Sequence, residues 1–107
     1  SSVTLPPVKS GLYYKFILSA DVTSTAALVL TAQGSAKLAG QVMATQTTAV
    51  AESVQSAVGS NTILTIGSAG NKVLAGSYVE IICDGTNWFA NGVAVGDNAD
   101  ITTCAFS

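Results

Sequence analysis

The chain has 107 residues, of which 49% are apolar or aromatic and only 9% charged, with four Lys, no Arg, six acids and no His, giving a net charge of −2. With an isoelectric point near 4.5 the charge has the wrong sign for tracking nucleic-acid phosphates, and the missing imidazole removes Ser-His and Cys-His triads and the commonest metal ligand. One domain is expected at this length, yet soluble domains carry about a quarter charged residues, so a mean hydropathy of +0.50 asks for apolar surface buried against a membrane or another protein.

The membrane reading fails for helices. Lys15, Asp21, Lys37, Glu52, Lys72, Glu80 and Asp84 interrupt the sequence, leaving no apolar run of about 18 residues. An outer-membrane barrel of at least about eight ten-residue strands would nearly exhaust the chain. The start, Ser1-Ser2-Val3-Thr4-Leu5-Pro6-Pro7, lacks the basic, apolar and small-residue parts of a secretory leader and reads as a chain that has lost an initiator Met.

Val3 to Leu5 suits a short strand, which Pro6-Pro7 must end or confine to an edge because proline donates nothing to a ladder. Residues 1–7 are therefore expected as an arm or edge strand, and 8–107 as a single β-domain. From Leu12 to Ala20, the residues Leu12, Tyr14, Phe16 and Leu18 alternate with Tyr13, Lys15, Ile17 and Ser19. That is strand periodicity, and the even-numbered side is expected in the core. Ala27 to Thr31, Lys37 to Thr45, Thr62 to Ile66, Tyr78 to Cys83 and Trp88 to Val95 follow, rich in β-formers and bounded by Gly, Ser or Asn. About seven to nine short antiparallel strands in an all-β sandwich or jelly-roll-like barrel are predicted. Between residues 47 and 58, Val50, Val54 and Val58 recur every fourth position, which fits one short helix as well as an extended connection.

Asp84-Gly85 between two apolar runs signals a hairpin with a type I′ turn, with Thr86 and Asn87 extending or bonding it. Asn91-Gly92 is too close to form an independent hairpin and is expected as a bulge or bend. Trp88 reads as a core or interface residue, with Phe89 on the opposite face. Chemistry finds little purchase elsewhere. Cys83 sits beside Asp84, whose carboxylate disfavours a thiolate, and Cys83 and Cys104 read as two buried thiols rather than a disulfide. Asp97-Asn98-Ala99-Asp100 carries carboxylates but neither a complete calcium loop nor a catalytic pair set in a cleft. No catalytic residue, metal site or cofactor is expected.

The segment GSYVEIICDGTNWFANGVAVG resembles the strand, Asp-Gly-Thr-Asn-Trp turn, strand unit near the end of many small tailed-phage virion proteins, including head decoration (cement) proteins and tail-fibre modules. VTLPPVKSGLYYKFIL is similar to the Thr-Leu-Pro, Gly, Tyr-x-Phe start of the same β-domains. The two stretches span about a third of the chain; the Thr103-Cys104-Ala105-Phe106-Ser107 end departs from the proline-containing ends of such proteins. The resemblance implies that Asp84, Gly85, Thr86, Asn87 and Trp88 shape a turn without catalytic work. It also implies a decoration protein on the outer surface of an icosahedral head, assembled in the host cytoplasm. There it would bind the major capsid protein as a homotrimer at local threefold positions, with no nucleic-acid or membrane partner. Val3, Leu5, Pro6 and Pro7, with Tyr13 and Phe89, are the expected capsid or subunit contacts. The alternative is a tail-fibre or receptor-binding module contacting host glycans, although such modules usually belong to longer chains.

Overall fold

Alternation of core-facing and outward side chains is the dominant local pattern, and it produces strands throughout. The computed structural model describes residues 2–22, 26–46, 52–55, 60–67, 72–96 and 104–107. Among them are nine strands and no helix: β1 (Ser2–Thr4), β2 (Tyr13–Ile17), β3 (Leu28–Thr31), β4 (Leu38–Gln46), β5 (Glu52–Gln55), β6 (Ile63–Ile66), β7 (Tyr78–Cys83), β8 (Trp88–Gly96) and β9 (Cys104–Phe106). They form two sheets, ordered β1-β3-β6-β9 and β2-β7-β8-β4-β5. The sheets enclose one core of buried residues that includes Leu5, Leu30, Leu38, Val42, Leu64, Val79, Ile81 and Trp88. The chain is an all-β sandwich.

Four sequence expectations change. The sheets are mixed rather than antiparallel, since β1 runs parallel to β3 and β4 runs parallel to β8. The helix considered for 47–58 gives way at its centre to β5, which pairs with β4 from Gln41↔Gln55 to Ala44↔Glu52; residues 47–51 and 56–59 lie outside the described part. On β2, Leu12, Phe16 and Leu18 lean on the core, but Tyr14 is 38% exposed. The reason is that β2 is an edge strand, hydrogen-bonded only to β7, so the core closes over one of its sides. Asn91-Gly92 makes neither bulge nor bend: β8 runs unbroken through both, with Gly92 opposite Val79 on one side and Val42 on the other.

The inner row of β8 is Trp88, Ala90, Gly92, Ala94 and Gly96, all buried and, after the indole, all small. Small size here is a steric requirement. A Cβ on Gly92 would collide with the Tyr78 carbonyl oxygen and come within 2.8 Å of Val79 Cα, and one on Gly40 in β4 would strike the Ala90 carbonyl. Gly40 also holds a φ of +112°, which side chains rarely adopt. Both buried cysteines, Cys83 and Cys104, lie outside any disulfide.

Gly92→Ala therefore forces backbone apart at the centre of the larger sheet. It should lower unfolding stability by about 3 kcal/mol, at the upper end for overpacking, read as a shifted urea midpoint at unchanged slope.

Candidate functional site

The Asp-Gly turn is built differently from a type I′ hairpin. Cys83 pairs with Trp88, leaving four residues in the loop, and no residue other than glycine has positive φ among those described. Gly85 takes φ +100° while the Asp84 carboxylate accepts hydrogen bonds from the Thr86 and Asn87 amides, each at 2.8 Å. Asn87 then reaches across the sheet: its Oδ1 accepts from the Lys37 amide at 3.1 Å, and the Trp88 amide donates to the Lys37 carbonyl at 2.9 Å. On the other flank the Gly11 amide donates to the Cys83 carbonyl and the Cys83 amide to that of Leu12. The loop thus fixes the start of β4 and the entry to β2 at once, and the Asp84 and Asn87 side chains are spent on backbone.

Trp88 is fully buried, near the Tyr14 ring at 6.1 Å between centroids. Its indole N–H has no hydrogen-bond partner among the described residues. An unpaired buried donor costs about 1–3 kcal/mol, whereas removing roughly 200 Å² of aromatic surface from water contributes about 5 kcal/mol, so burial wins.

The expected contact residues separate into two groups. Val3 is half-buried in β1 and packs on the core, and Leu5 is 1% exposed with its amide bonded to the Thr31 carbonyl at 2.8 Å. Leu5 is therefore a core residue rather than a contact, because β1 docks beside β3 and draws the following residue inward. Pro6 is half-buried and Pro7 exposed. Tyr13 and Phe89, by contrast, are 52% and 41% exposed and meet through Ile82, since Tyr13↔Ile82 and Ile82↔Phe89 are both register pairs.

That alignment reveals a surface that sequence reasoning missed. The outward side of the five-stranded sheet carries three cross-strand rows over β2, β7, β8 and β4. The first is Tyr13, Ile82, Phe89 and Ala39. The second is Lys15, Glu80, Asn91 and Gln41, all polar. The third is Ile17, Tyr78, Val93 and Met43. Lys15 Nζ lies 3.6 Å from the Glu80 carboxylate and 4.9 Å from the Tyr78 ring centroid, so the charges are paired within the chain. Of the seven exposed large hydrophobics among the described residues, five (Tyr13, Ile17, Met43, Ile82 and Phe89) stand on this face. The signal was present in Tyr13 and Ile17, large apolar side chains at odd-numbered positions of Leu12 to Ala20, on the side that also carries Lys15 and Ser19.

Hollows lined by described residues accompany the fold. A cleft of about 410 Å³ opens between the sheets beside β1 and β2, walled by Val3, Phe16, Leu18, Leu28, Ile66 and Val79. Ser77, also on its wall, donates to the Leu74 carbonyl and accepts from the Val95 amide. A shallower hollow of about 250 Å³ on the outer face is lined by Tyr13, Phe89, Glu80 and Asn91, among others. Among the described residues no three His, Cys, Asp or Glu side chains gather as a metal site, and no helix is long and apolar enough to cross a membrane. The Asp97 to Asp100 run lies outside the described residues. The chain matches no family model, no curated protein and no solved structure.

The two loop amides hold the Asp84 carboxyl below its ordinary 3.8, Asn87 contributing most and Thr86 next. A depressed carboxylate stabilises the fold above its unfolded pKa, and that contribution is lost as pH falls through the folded value. Asp84→Ala should therefore melt below the wild type at pH 7. The difference should narrow as pH drops beneath 3.8, followed by thermal melts across an acid series.

Proposed function

We propose that this chain is a structural subunit of a virion, a decoration or cement protein that binds the outside of an icosahedral phage head and stabilises it. The observation that carries the reading is the uncovered outer face of the five-stranded sheet, with Tyr13, Ile17, Met43, Ile82 and Phe89 exposed on one rigid element. Scattered exposed hydrophobics need no explanation, whereas two apolar rows gathered on one sheet face about a polar stripe fit a protein-docking surface. The composition supports the same reading, because 9% charge leaves little else to keep such a face apart from other protein. The virion setting comes from the resemblance of the Val3 to Leu18 and Gly76 to Gly96 segments to tailed-phage β-domains. In that setting the partners are the major capsid protein and further copies of the chain, and docking requires no cofactor.

One observation favours the tail-fibre reading. Tyr13 and Phe89 flank a hollow that also holds the Glu80 carboxylate and the Asn91 amide, and aromatic faces beside hydrogen-bonding groups suit a sugar ring.

Cosedimentation with expanded heads of the virus that carries the chain, run beside a panel of host surface glycans, separates the two. The decoration reading expects the chain to pellet with heads at a saturating stoichiometry and to raise their disruption temperature. Glycan binding abolished by Phe89→Ala, with no affinity for heads, would replace it with the fibre reading.

A further inference from the structure

The pattern on the outer sheet face says what covers it. Two copies laid face to face can be related by a twofold axis across the strands or along them. The first superposes each row on its mirror position, so that Lys15 meets Lys15 and Glu80 meets Glu80 of the second copy, and like charges oppose. The second, passing between β7 and β8, exchanges β2 with β4 and β7 with β8. Lys15 then faces Gln41 and Glu80 faces Asn91, each charge meeting a neutral amide that can donate or accept. In the first row Tyr13, 52% exposed, falls on the small Ala39, and Ile82 falls on Phe89. In the third row Ile17 falls on Met43 and Tyr78 on Val93. No register position opposes two like charges or two bulky aromatics.

From this geometry we infer that the occupant of the face is a second copy of this chain, packed about a twofold axis parallel to β7 and β8. The inference rests on reading the face as a docking surface and not on the virion setting. Face-to-face sheets pack about 10 Å apart with strands within about 30° of each other, which suits rows of alternating bulk. The four strands that meet across this axis, β2, β7, β8 and β4, about 4.8 Å apart and some 24 Å long on average, present roughly 460 Å². Two copies together cover about 920 Å², just under the roughly 1,000 Å² of a stable specific interface and the size of a weak, reversible one. An isologous contact of this kind closes at two subunits, whereas a ring of three needs two different patches to meet head to tail. The face thus favours a dimer over the threefold assembly that the resemblance implies.

Ile82 and Phe89 are 49% and 41% exposed, so charges placed there should leave the fold intact, as far-UV circular dichroism would verify. Native mass spectrometry and sedimentation equilibrium of the purified chain, from about 1 to about 100 µM, should show a species of twice the chain mass with micromolar affinity. Ile82→Glu and Phe89→Lys should each weaken self-association at least about tenfold, and mixing the two in equal amounts should restore a dimer, because the new charges then face one another across the axis. A wild-type monomer throughout that range, a trimer, variants that associate as the wild type does, or folded variants that stay monomeric when mixed would each overturn the inference. A dimer that ignores phage heads defeats the virion reading and leaves this one standing; a monomer that decorates heads does the reverse.

Discussion

The pairing of β4 with β8 is the constraint on which the rest of the sandwich depends. Nine register pairs run from Leu38↔Trp88 to Gln46↔Gly96, and they join segments some 50 residues apart into the middle of the larger sheet. A parallel pair has no hairpin to set its register, so something else must. Here the backbone of β8 passes close to both neighbours, which Gly40 and Gly92 allow, and the Asn87 and Trp88 bonds to Lys37 fix the first pair. Sliding the strands by one residue would turn the small inner row outward and drive Asn91 or Val93 into the space that Gly92 leaves.

With that centre fixed, the edges follow. β7 closes on β8 through the four-residue loop, β2 adds to β7, and β5 adds to β4. The indole of Trp88 is carried inward at the loop end and packs under Tyr14. The same alternation that buries Val79, Ile81 and Cys83 sends Tyr78, Glu80 and Ile82 outward. The apolar rows of the outer face are therefore a direct consequence of β2 and β7 carrying large apolar residues at both parities, not an accident of loose packing.

Much of the fold was legible because it is local. Alternation located β2, β7 and β8 to within a few residues, and the inward Trp88 with outward Phe89 followed from a period of two. What the sequence hid was non-local or chemically ambiguous. Parallel pairing leaves no turn signature, so the strands were all expected to be antiparallel, although β4 runs parallel to β8 and β1 to β3. Asn91-Gly92 imitates a turn, yet its glycine is required by the approach of the Tyr78 and Val79 backbone, a contact that only the assembled sheet creates. Asp84-Gly85 marked the right loop with the wrong geometry, because the Asp84 side chain bonds to two amides further on and so favours the longer connection. The Val50 to Val58 spacing suggested a helix because alanine neighbours are silent about period, while pairing with β4 makes residues 52–55 a strand. For the site, Tyr13 and Phe89 were identified singly; Ile82, which joins them, is visible only once β2, β7 and β8 lie side by side.

The central claim is that the outer face of the five-stranded sheet is covered when the protein is assembled. Hydroxyl-radical footprinting at low and high concentration tests it most directly, since Met43, Tyr13 and Phe89 on that face are reactive and exposed, while Tyr14 is similarly exposed on the opposite side of β2. The account predicts that oxidation of Met43, Tyr13 and Phe89 falls together as the protein assembles, with Tyr14 unchanged. Equal labelling of all four residues in the dilute and assembled protein would contradict it.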